Sequence, residues 1–317
     1  MNFFGTNFYI GADSGGTKFE MIIVSESGRI IKKFKFKGIH YSVSGPVSYC
    51  DHITDYIFTA LKKTGFDINN CKGLCIGLAG AREDSDRKKL QNLFRKKTGI
   101  KNTLITTDAL TALYGAFEGR NGIILISGTG SVLYGYYDNK IHRVGGWGRI
   151  IGDEGSGYWI GRKALNIAVK EYDSFKITKK ESELAELLRL KFGITRLNLN
   201  DRIFKNNFEI QKVTPLVLEL AAKKSGVCMN IISEAVSDLM YHINSYLKIA
   251  EPKNVIQISL IGSLVENENI LSRNLKKEIM KLKKVKLVEK KHSPAYGAFL
   301  LISGGKKFLK NIKIEKN

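Results

Sequence analysis

The stretch Gly11-Ala12-Asp13-Ser14-Gly15-Gly16-Thr17-Lys18 decides the fold, because a second glycine turn, Ser127-Gly128-Thr129-Gly130-Ser131, repeats its setting. Each turn lies between two apolar runs, as residues 8–10 and 19–24 do around the first. This pattern predicts strand, glycine turn, strand, twice along the chain. Glycines at a hairpin tip let backbone N–H groups converge into a nest for phosphate oxygens. Two such turns favour two domains that hold one nucleotide's phosphates between them.

The composition is typical of a globular protein with two domains. The chain has 317 residues, of which 43% are apolar and only four are proline. No apolar run approaches the ~18 residues that a membrane span needs, and residues 1–7 lack the basic region of a signal peptide. We therefore expect a cytoplasmic protein with no membrane partner.

The formal net charge of +21 raises the question of nucleic-acid binding. The lysines are spread along the whole chain, and the densest stretch, residues 276–291, also contains Glu278 and Glu289. That stretch lacks the interleaved aromatic residues of a base-stacking surface. We expect no nucleic-acid partner, and we expect the positive field to attract small anions.

Four cysteines do not form a disulfide framework in a chain of this length. They are Cys50, Cys71, Cys75 and Cys228, and Cys75 falls in an apolar run that is typical of a strand. The pattern favours buried structural thiols over ligands of a metal or a cluster.

Strands and helices alternate after a three-stranded meander, twice, which predicts mixed sheets flanked by helices. The predicted strands are 8–13, 19–25, 30–36, 73–78, 104–106, 122–127, 132–137, 140–144, 255–261 and 286–288. The predicted helices are 46–64, 84–98, 109–117, 158–170, 180–192, 215–224, 229–247, 269–284 and 294–302. Turn chemistry in Glu118-Gly119-Arg120-Asn121-Gly122 marks the domain boundary.

Two carboxylates lie where predicted strands end. Asp13 precedes the first glycine turn, where it can hold hydrated Mg²⁺ or form a turn with its own backbone. Asp108 stands between a predicted strand and helix, so it is a candidate helix N-cap. It is equally a candidate base for an attacking hydroxyl, and the two roles are compatible. Thr17 and Lys18 can donate to phosphate oxygens, although Lys18 is also consistent with a solvated lysine.

The run from Gly145 to Gly157 contains six glycines in thirteen residues, too many for an ordinary helix or strand. Such a loop allows close backbone approach to a ligand, with Trp147 as a flat apolar wall and Asp153 as a hydroxyl acceptor. A sugar has this requirement, and a flexible surface loop is the alternative. Further on, residues 258–264 predict a buried strand that ends in a Gly262-Ser263 turn, where adenine and ribose could lie.

Together, and in this order, these segments resemble the BadF/BadG/BcrA/BcrD-type ATPase family, and within it the N-acetylglucosamine kinases of the sugar-kinase, heat-shock-protein and actin superfamily. The segments similar to family motifs are 13–18 and 126–131 (phosphate), 104–109 (catalytic base), 145–160 (sugar), 261–263 (adenosine) and 293–298 (start of the C-terminal helix). The resemblance covers most of the chain and is weakest over residues 173–211.

The resemblance implies an α/β fold of two ribonuclease-H-like (actin-like ATPase) domains with an active-site cleft between them. Each would be a mixed five-stranded sheet flanked by helices. The N-terminal domain would span residues 1–118 and be completed by a C-terminal helix at about 294–317. The C-terminal domain, with a helical insertion, would span residues 119–293.

The resemblance also implies transfer of the γ-phosphoryl group of ATP, with Mg²⁺, to O6 of N-acetylglucosamine or N-acetylmuramic acid. Asp108 would deprotonate the hydroxyl, and Asp13 would orient Mg²⁺ through water. The implied ATP-binding residues are Asp13, Gly15, Gly16, Thr17, Lys18, Gly128, Thr129, Gly130, Gly262 and Ser263. The implied sugar-binding residues are His40, Asp108, Ser131, Gly146, Trp147, Gly148 and Asp153. The implied partners are a small-molecule amino sugar and a second copy of the chain in a homodimer.

Two positions depart from the pattern of N-acetylglucosamine kinases. Ile39 stands where these kinases usually carry an Asn, and Val132 stands where some family members do. Both changes remove a polar contact, so glucosamine is an alternative acceptor. A second alternative is an ATPase that activates a reductive dehydratase, which would need cysteines to bridge an iron–sulfur cluster.

Overall fold

The computed structural model describes residues 5–39, 41–80, 83–179 and 181–314, and its internal contacts divide the chain into two compact units. Unit 1 comprises Met1–Gly122, Tyr136–Ile141 and Glu289–Ile314. Unit 2 comprises Ile123–Gly135, His142–Val288 and Glu315–Asn317. Among the residues described, no helix is both long and apolar enough to span a membrane.

The regular elements follow the predicted alternation of strands and helices. The strands are β1 (Phe8–Ser14), β2 (Lys18–Ser25), β3 (Ile30–Lys37), β4 (Cys71–Leu78), β5 (Thr103–Thr107), β6 (Gly122–Ser127), β7 (Ser131–Tyr137), β8 (Lys140–Gly145), β9 (Ile256–Ile261), β10 (Val285–Leu287) and β11 (Lys313–Ile314). The helices are α1 (Tyr41–Thr64), α2 (Asp84–Thr98), α3 (Asp108–Phe117), α4 (Gly157–Thr178), α5 (Glu183–Phe192), α6 (Thr214–Ala222), α7 (Gly226–Ala250), α8 (Ser263–Glu266), α9 (Ile270–Met280), α10 (Pro294–Ser303) and α11 (Lys306–Asn311).

The sheet of unit 1 has the order β3-β2-β1-β4-β5. The pairs β1–β2 and β2–β3 are antiparallel, whereas β1–β4 and β4–β5 are parallel, so the sheet is mixed. In register, Asp13 lies opposite Glu20 on β2 and opposite Gly77 on β4. Because paired residues project from the same face of a sheet, Asp13 and Glu20 share one face.

The two faces of this sheet pack against different helices. One face buries Phe8, Ile10 and Phe19 with Tyr49 of α1 and Phe94 of α2. The opposite face packs on α10, where Ile22 and Val24 meet Ala295 and Phe299 in a separate cluster. Alternation of side chains along β1 and β2 therefore supplies both cores.

Backbone contacts too close for any side chain join α3 to α10. A Cβ at Gly297 would lie 2.0 Å from the carbonyl oxygen of Thr111 and 2.6 Å from the amide nitrogen of Gly115. A Cβ at Gly11 on β1 would lie 2.2 Å from the carbonyl oxygen of Ala295. Only glycine permits this approach, which holds the start of α3 close to the end of β1.

The second sheet has the order β10-β9-β6-β7-β8-β11, and its last strand, β11, pairs in parallel with β8. β6 pairs in parallel with β9, and β9 pairs in parallel with β10. On β7, Gly135 makes room for Tyr246 of α7, because a Cβ there would lie 2.1 Å from the tyrosine ring. The two mixed α/β sheets confirm the predicted fold class, with β11 as an additional strand beyond the five that were predicted.

The structure bears out one predicted helix start and corrects the C-terminal segment. The first helix was predicted to start at residue 46, and this residue follows directly after Gly45, whose non-helical φ of 71° and ψ of 169° separate two helical segments within α1. The C-terminal segment is not one helix to residue 317: α10 ends at Ser303, and α11 and β11 follow. Because α11 and β11 are short and polar, the sequence shows no repeating pattern of apolar residues that would predict a helix or a strand there.

We expect Gly297→Ala to lower the free energy of unfolding by about 1–3 kcal/mol, because the new methyl group overpacks the backbone of α3. The check is the midpoint of urea unfolding. Gly226→Ala is the matched control, since a Cβ at Gly226 has nothing within 4 Å. An equal shift of the midpoint in both variants would contradict the steric argument.

Candidate active site

The first glycine turn is a tight hairpin between β1 and β2. The amide of Gly15 donates to the carbonyl of Lys18 at 2.9 Å, and the amide of Gly38 donates to the carbonyl of Thr17 at 3.1 Å. The hydroxyl of Tyr49 donates to the buried hydroxyl of Ser14 at 2.6 Å, which ties the turn to α1. Thr17 is exposed, so its side chain is accessible to a ligand.

Asp13 is half-buried at the carboxyl end of β1. Burial raises the pKa of its carboxyl group to about 7, and the negative charge of Asp108 acts in the same direction. Glu20 also acts to raise this pKa, whereas Lys18 and Lys290 act to lower it. A carboxylate in this position favours a bound cation, because a cation would relieve the repulsion among these acidic groups.

Asp108 is the first residue of α3, directly after β5. The helix N-cap is Thr107, whose Oγ1 accepts from the amide of Leu110 at 3.2 Å. The expectation that Asp108 itself caps the helix is therefore corrected. Its Oδ1 accepts from the adjacent amide of Ala109 at 2.9 Å, which orients the carboxylate at the helix N-terminus. The half-buried carboxylate interacts with Asp13, so the two predicted acidic residues lie in one cluster of unit 1.

Two lysines belong to this cluster. Lys18 pairs with Glu20, with 2.7 Å between Nζ and Oε2, so it is not simply a solvated lysine. Lys290 is half-buried, its pKa is lowered by burial, and Glu20 and Asp13 oppose that change. Lys290 was not among the predicted site residues, because it lies in a lysine-rich stretch that is typical of an ordinary solvated surface.

In unit 2, the second glycine turn is joined to the glycine-rich loop and to the start of α4. The amide of Gly157 donates to the carbonyl of Gly128 at 2.7 Å, and the amide of Tyr158 donates to the carbonyl of Thr129 at 3.1 Å. Below the turn, Ser127 Oγ donates to the carbonyl of Gly155 at 3.0 Å. Thr129 remains exposed. These bonds fix the predicted phosphate turn against the predicted sugar loop.

Asp153 lies against the second glycine turn. A Cβ at Gly130 would be 2.7 Å from Asp153 Oδ2, so glycine is required for the carboxylate to reach this place. Asp153 has φ 55°, a left-handed conformation that is uncommon outside glycine. Its Oδ1 accepts from the amide of Gly148 at 3.1 Å. The loop therefore holds Asp153 by its backbone and by one carboxylate oxygen.

Trp147 projects from the same loop and is 54% exposed. The guanidinium carbon of Arg143 lies 4.7 Å from the centre of its ring, within the range of a cation–π contact. The predicted apolar wall is thus a half-exposed indole that interacts with a cation. Gly146 has φ 70°, and a Cβ there would lie 2.6 Å from Val132 Cγ2.

Two further predicted sugar positions, Ser131 and His40, and the position of the replaced Asn differ in their setting. Ser131 is buried, and its Oγ donates to the carbonyl of Glu154 at 2.5 Å, so its hydroxyl is engaged by the loop. Ile39, which replaces the expected Asn, packs against the hydrophobic cluster of unit 1. His40 lies outside the described residues.

Gly262 brings the predicted adenosine turn against the second phosphate turn. It has φ 107°, and a Cβ there would lie 2.4 Å from the carbonyl oxygen of Ser127. The amide of Gly262 donates to Glu266 Oε2 at 2.8 Å, and Ser263 begins α8. The end of β9 and the end of β6 therefore meet at positions 262 and 127.

Three of the four cysteines are buried, as predicted: Cys50, Cys75 and Cys228. Cys71 is half-buried at the start of β4, and burial raises the pKa of its thiol to about 12. In the part of the chain that the structure describes, there is no group of three or more His, Cys, Asp or Glu side chains suited to hold a metal ion.

Residues 10–302 match the family model of the BadF/BadG/BcrA/BcrD ATPase family. The chain belongs to this family. A relative from Clostridium acetobutylicum, an N-acetylmuramic acid/N-acetylglucosamine kinase, is 32% identical over 93% of this chain and 97% of its own. An N-acetyl-D-glucosamine kinase from Dictyostelium discoideum is 26% identical over 94% of this chain and 98% of its own.

The fold of this family member is similar to that of solved sugar kinases. A proposed N-acetylglucosamine kinase from Chromobacterium violaceum superposes with a TM-score of 0.74 at 22% identity, covering 94% of this chain and 99% of that one. A ROK family glucokinase from Streptomyces griseus, in complex with glucose and AMPPNP, gives a TM-score of 0.57 at 17% identity over 93% of this chain and 97% of its own. These similarities confirm the two-domain actin-like fold that the sequence predicted.

We expect the contribution of Asp13 to the stability of the protein, without nucleotide or divalent metal, to fall as pH rises from about 4 to about 8. Folded Asp13 has a pKa of about 7, against an ordinary value of 3.8. Between those values the folded chain binds more protons than the unfolded chain, so raising the pH favours unfolding. Asp13→Asn removes this contribution and should be more stable than the wild type above pH 7, with the difference vanishing towards pH 4.

Unfolding by urea at several pH values measures this difference. Asp138→Asn is the control, because Asp138 is exposed in the turn between β7 and β8. If Asp13→Asn and Asp138→Asn follow the same pH dependence, the carboxyl group of Asp13 does not titrate near neutrality.

We expect Gly262→Ala to weaken ATP binding at least tenfold, because its methyl group would push the adenosine turn away from Ser127. Gly99→Ala is the matched control: Gly99 also has a positive φ, 74°, but a Cβ there has nothing within 4 Å. Isothermal titration calorimetry with ATP makes the comparison. Equal affinities in the two variants would show that the turn at position 262 does not hold the nucleotide.

Proposed function

We propose that this protein is an ATP-dependent amino-sugar kinase that transfers the γ-phosphoryl group to O6 of N-acetylglucosamine. One observation carries the proposal: the carboxylate of Asp153 lies directly against Gly130 of the second phosphate turn. A hydroxyl-accepting carboxylate beside a phosphate-binding turn is what transfer to a hydroxyl requires. The names of the relatives from Clostridium acetobutylicum and Dictyostelium discoideum support an amino sugar as the acceptor.

On this proposal Asp108 acts as the general base. It takes the proton of the attacking hydroxyl while that oxygen forms its bond to the γ-phosphorus of ATP. The bond from the γ-phosphorus to the bridging oxygen breaks, and ADP leaves with that oxygen. The position of Asp108 at the first turn of α3, with Oδ1 held by the amide of Ala109, supports this role because the carboxylate has a defined orientation.

The glycine turns bind the phosphates in this proposal. The backbone amides of Gly15 and Gly16 belong to the first nest, with Thr17 and Lys18 beside them, and those of residues 128–130 belong to the second. Mg²⁺ would be held through water at Asp13, whose acidic surroundings suit a cation. When bound, the ion would neutralise phosphate charge.

The acceptor is bound by the glycine-rich loop on this proposal. Trp147 offers an indole for a sugar ring, Asp153 accepts from a hydroxyl, and Gly146 and Gly148 allow the backbone to come close. Ser131 is assigned to the loop rather than to direct contact, because its hydroxyl already donates to the carbonyl of Glu154. N-acetylmuramic acid is proposed as a second acceptor, since Ile39 and Val132 leave fewer polar contacts to reject a substituent.

We expect ATP-dependent phosphorylation of N-acetylglucosamine, and a fall of at least about 10³-fold in kcat for Asp108→Asn, because the amide cannot accept the proton. The measurement is a coupled assay with N-acetylglucosamine, N-acetylmuramic acid, glucosamine, N-acetylmannosamine and glucose. Asp138→Asn removes an exposed carboxylate of the same type and should leave kcat unchanged.

Turnover of one or two amino sugars that is lost in Asp108→Asn would support the proposal and name the acceptor. No turnover of any sugar, with ATP hydrolysis that persists in Asp108→Asn, would overturn both the kinase assignment and the base.

A further inference from the structure

Helix α7 supports the glycine-rich loop from beneath at both of its ends. A Cβ at Gly155 would lie 2.6 Å from Leu239 Cγ and 2.8 Å from the carbonyl oxygen of Ala235. At the other end, a Cβ at Gly145 would lie 2.7 Å from the ring of His242. Positions 235, 239 and 242 recur every three or four residues, so they lie on one face of the helix.

His242 is the polar member of that face, and its side chain is only 4% exposed. Its Nε2 lies 3.7 Å from Oε2 of Glu154, near the end of the loop. Burial lowers the pKa of His242, while the charge of Glu154 acts to raise it. Among the described residues, Nδ1 has no hydrogen-bond partner. Nε2 is therefore the ring nitrogen that faces Glu154, and burial disfavours the charged form of the ring.

Glu154 connects His242 to the residues that bind ligands in the proposed function. It follows Asp153 directly in the chain, and its carbonyl accepts from Ser131 Oγ at the start of β7. The imidazole ring therefore lies against the backbone of Gly145, and its Nε2 faces the side chain of Glu154. Trp147 and Asp153 lie between these two contacts in sequence.

An open cavity of about 500 Å³ borders the same residues, with Trp147, Glu154, Asp238 and His242 in its wall. The loop is thus not packed against protein along its whole length. Contacts near both ends therefore contribute to its position, and His242 takes part at each: through its ring at Gly145, and through Nε2 near Glu154.

We propose that His242 is a positioning residue for the glycine-rich loop, and that it sets the affinity for the acceptor without touching it. This inference rests on the proposed function only in naming an amino sugar as the ligand. The histidine acts through Gly145 and Glu154, and it holds Trp147 and Asp153 where the sugar binds. Loss of its ring removes a side chain that lies against both Gly145 and Glu154.

The first test is a set of three substitutions at position 242. His242→Ala removes both contacts and should raise the KM for N-acetylglucosamine about tenfold, while the KM for ATP stays within about twofold. His242→Gln keeps an N–H donor for Glu154 and should recover most of the affinity. His242→Phe keeps a ring against Gly145 but cannot pair with Glu154, so its KM should lie between those of the wild type and the Ala variant.

The matched control is Asn244→Ala, an exposed position two residues along the same helix. It should leave both KM values unchanged. A parallel rise in the KM for both substrates, with a lower unfolding midpoint and no recovery in His242→Gln, would show that His242 only stabilises the fold and would overturn the proposal.

A second measurement does not depend on catalysis. Acrylamide quenching of tryptophan fluorescence reports mainly on Trp147, because the other tryptophan, Trp159, is only 5% exposed. In His242→Ala the quenching constant should rise about twofold, and in Asn244→Ala it should not change. Equal quenching in His242→Ala and the wild type would overturn the proposal. If no sugar is phosphorylated, the proposed function fails, yet the quenching result still decides whether His242 orders the loop.

Discussion

Close approach of one backbone segment to another, at positions where no side chain fits, is the constraint on which both units depend. In unit 1, Gly297 lets α10 lie against α3, and in unit 2, Gly262 lets the end of β9 lie against Ser127. A methyl group at either position would overlap a carbonyl oxygen. These contacts determine where strand ends and helix starts lie, and the candidate ligand-binding residues are at those ends. The fold and the site therefore have the same steric requirement.

In unit 1, repulsion among neighbouring acidic side chains lowers the stability of the folded protein. Asp13 lies at a half-buried strand end, where burial, together with the negative charges of Asp108 and Glu20, raises the pKa of its carboxyl group to about 7. Lys18 and Lys290 offset only part of this repulsion. Such an arrangement is unfavourable in the free protein, and under the proposed function a bound Mg²⁺ would relieve the repulsion among these carboxylates.

The elements predicted from the sequence were those with local signals. Glycine turns between apolar runs, and the strong amphipathic pattern of α2, depend on neighbouring residues, and α2 was predicted with its observed bounds. By contrast, the N-cap of α3 is Thr107 rather than Asp108, because either residue type satisfies the local rule and backbone geometry decides. The strand β11 was not predicted, because a two-residue strand has no period and exists only through its pairing with β8.

The same distinction applies to the candidate site. Asp13, Asp108, Trp147 and Asp153 could be proposed from the sequence because they stand in glycine-rich or strand-end contexts that a sequence displays. Lys290 was missed because its charge is one among many lysines, and only its half-burial beside Asp13 distinguishes it. His242 was missed because its environment is created by a loop about ninety residues earlier in the chain. Both residues act through long-range contacts.

Under the proposed function, the choice of acceptor depends on which polar groups of the glycine-rich loop already make hydrogen bonds within the protein. Ser131 donates to the carbonyl of Glu154, and one oxygen of Asp153 accepts from Gly148, so the loop uses part of its hydrogen-bonding capacity for its own shape. Val132 and Ile39 add no polar group. Under the proposed function, such a site would discriminate by the fit of the sugar ring to Trp147 and by the pairing of a hydroxyl with Asp153. It would then tolerate a substituent on the sugar more readily than the loss of a hydroxyl. An acceptor atom left unpaired on binding is costly, whereas an added group in an open cavity is not.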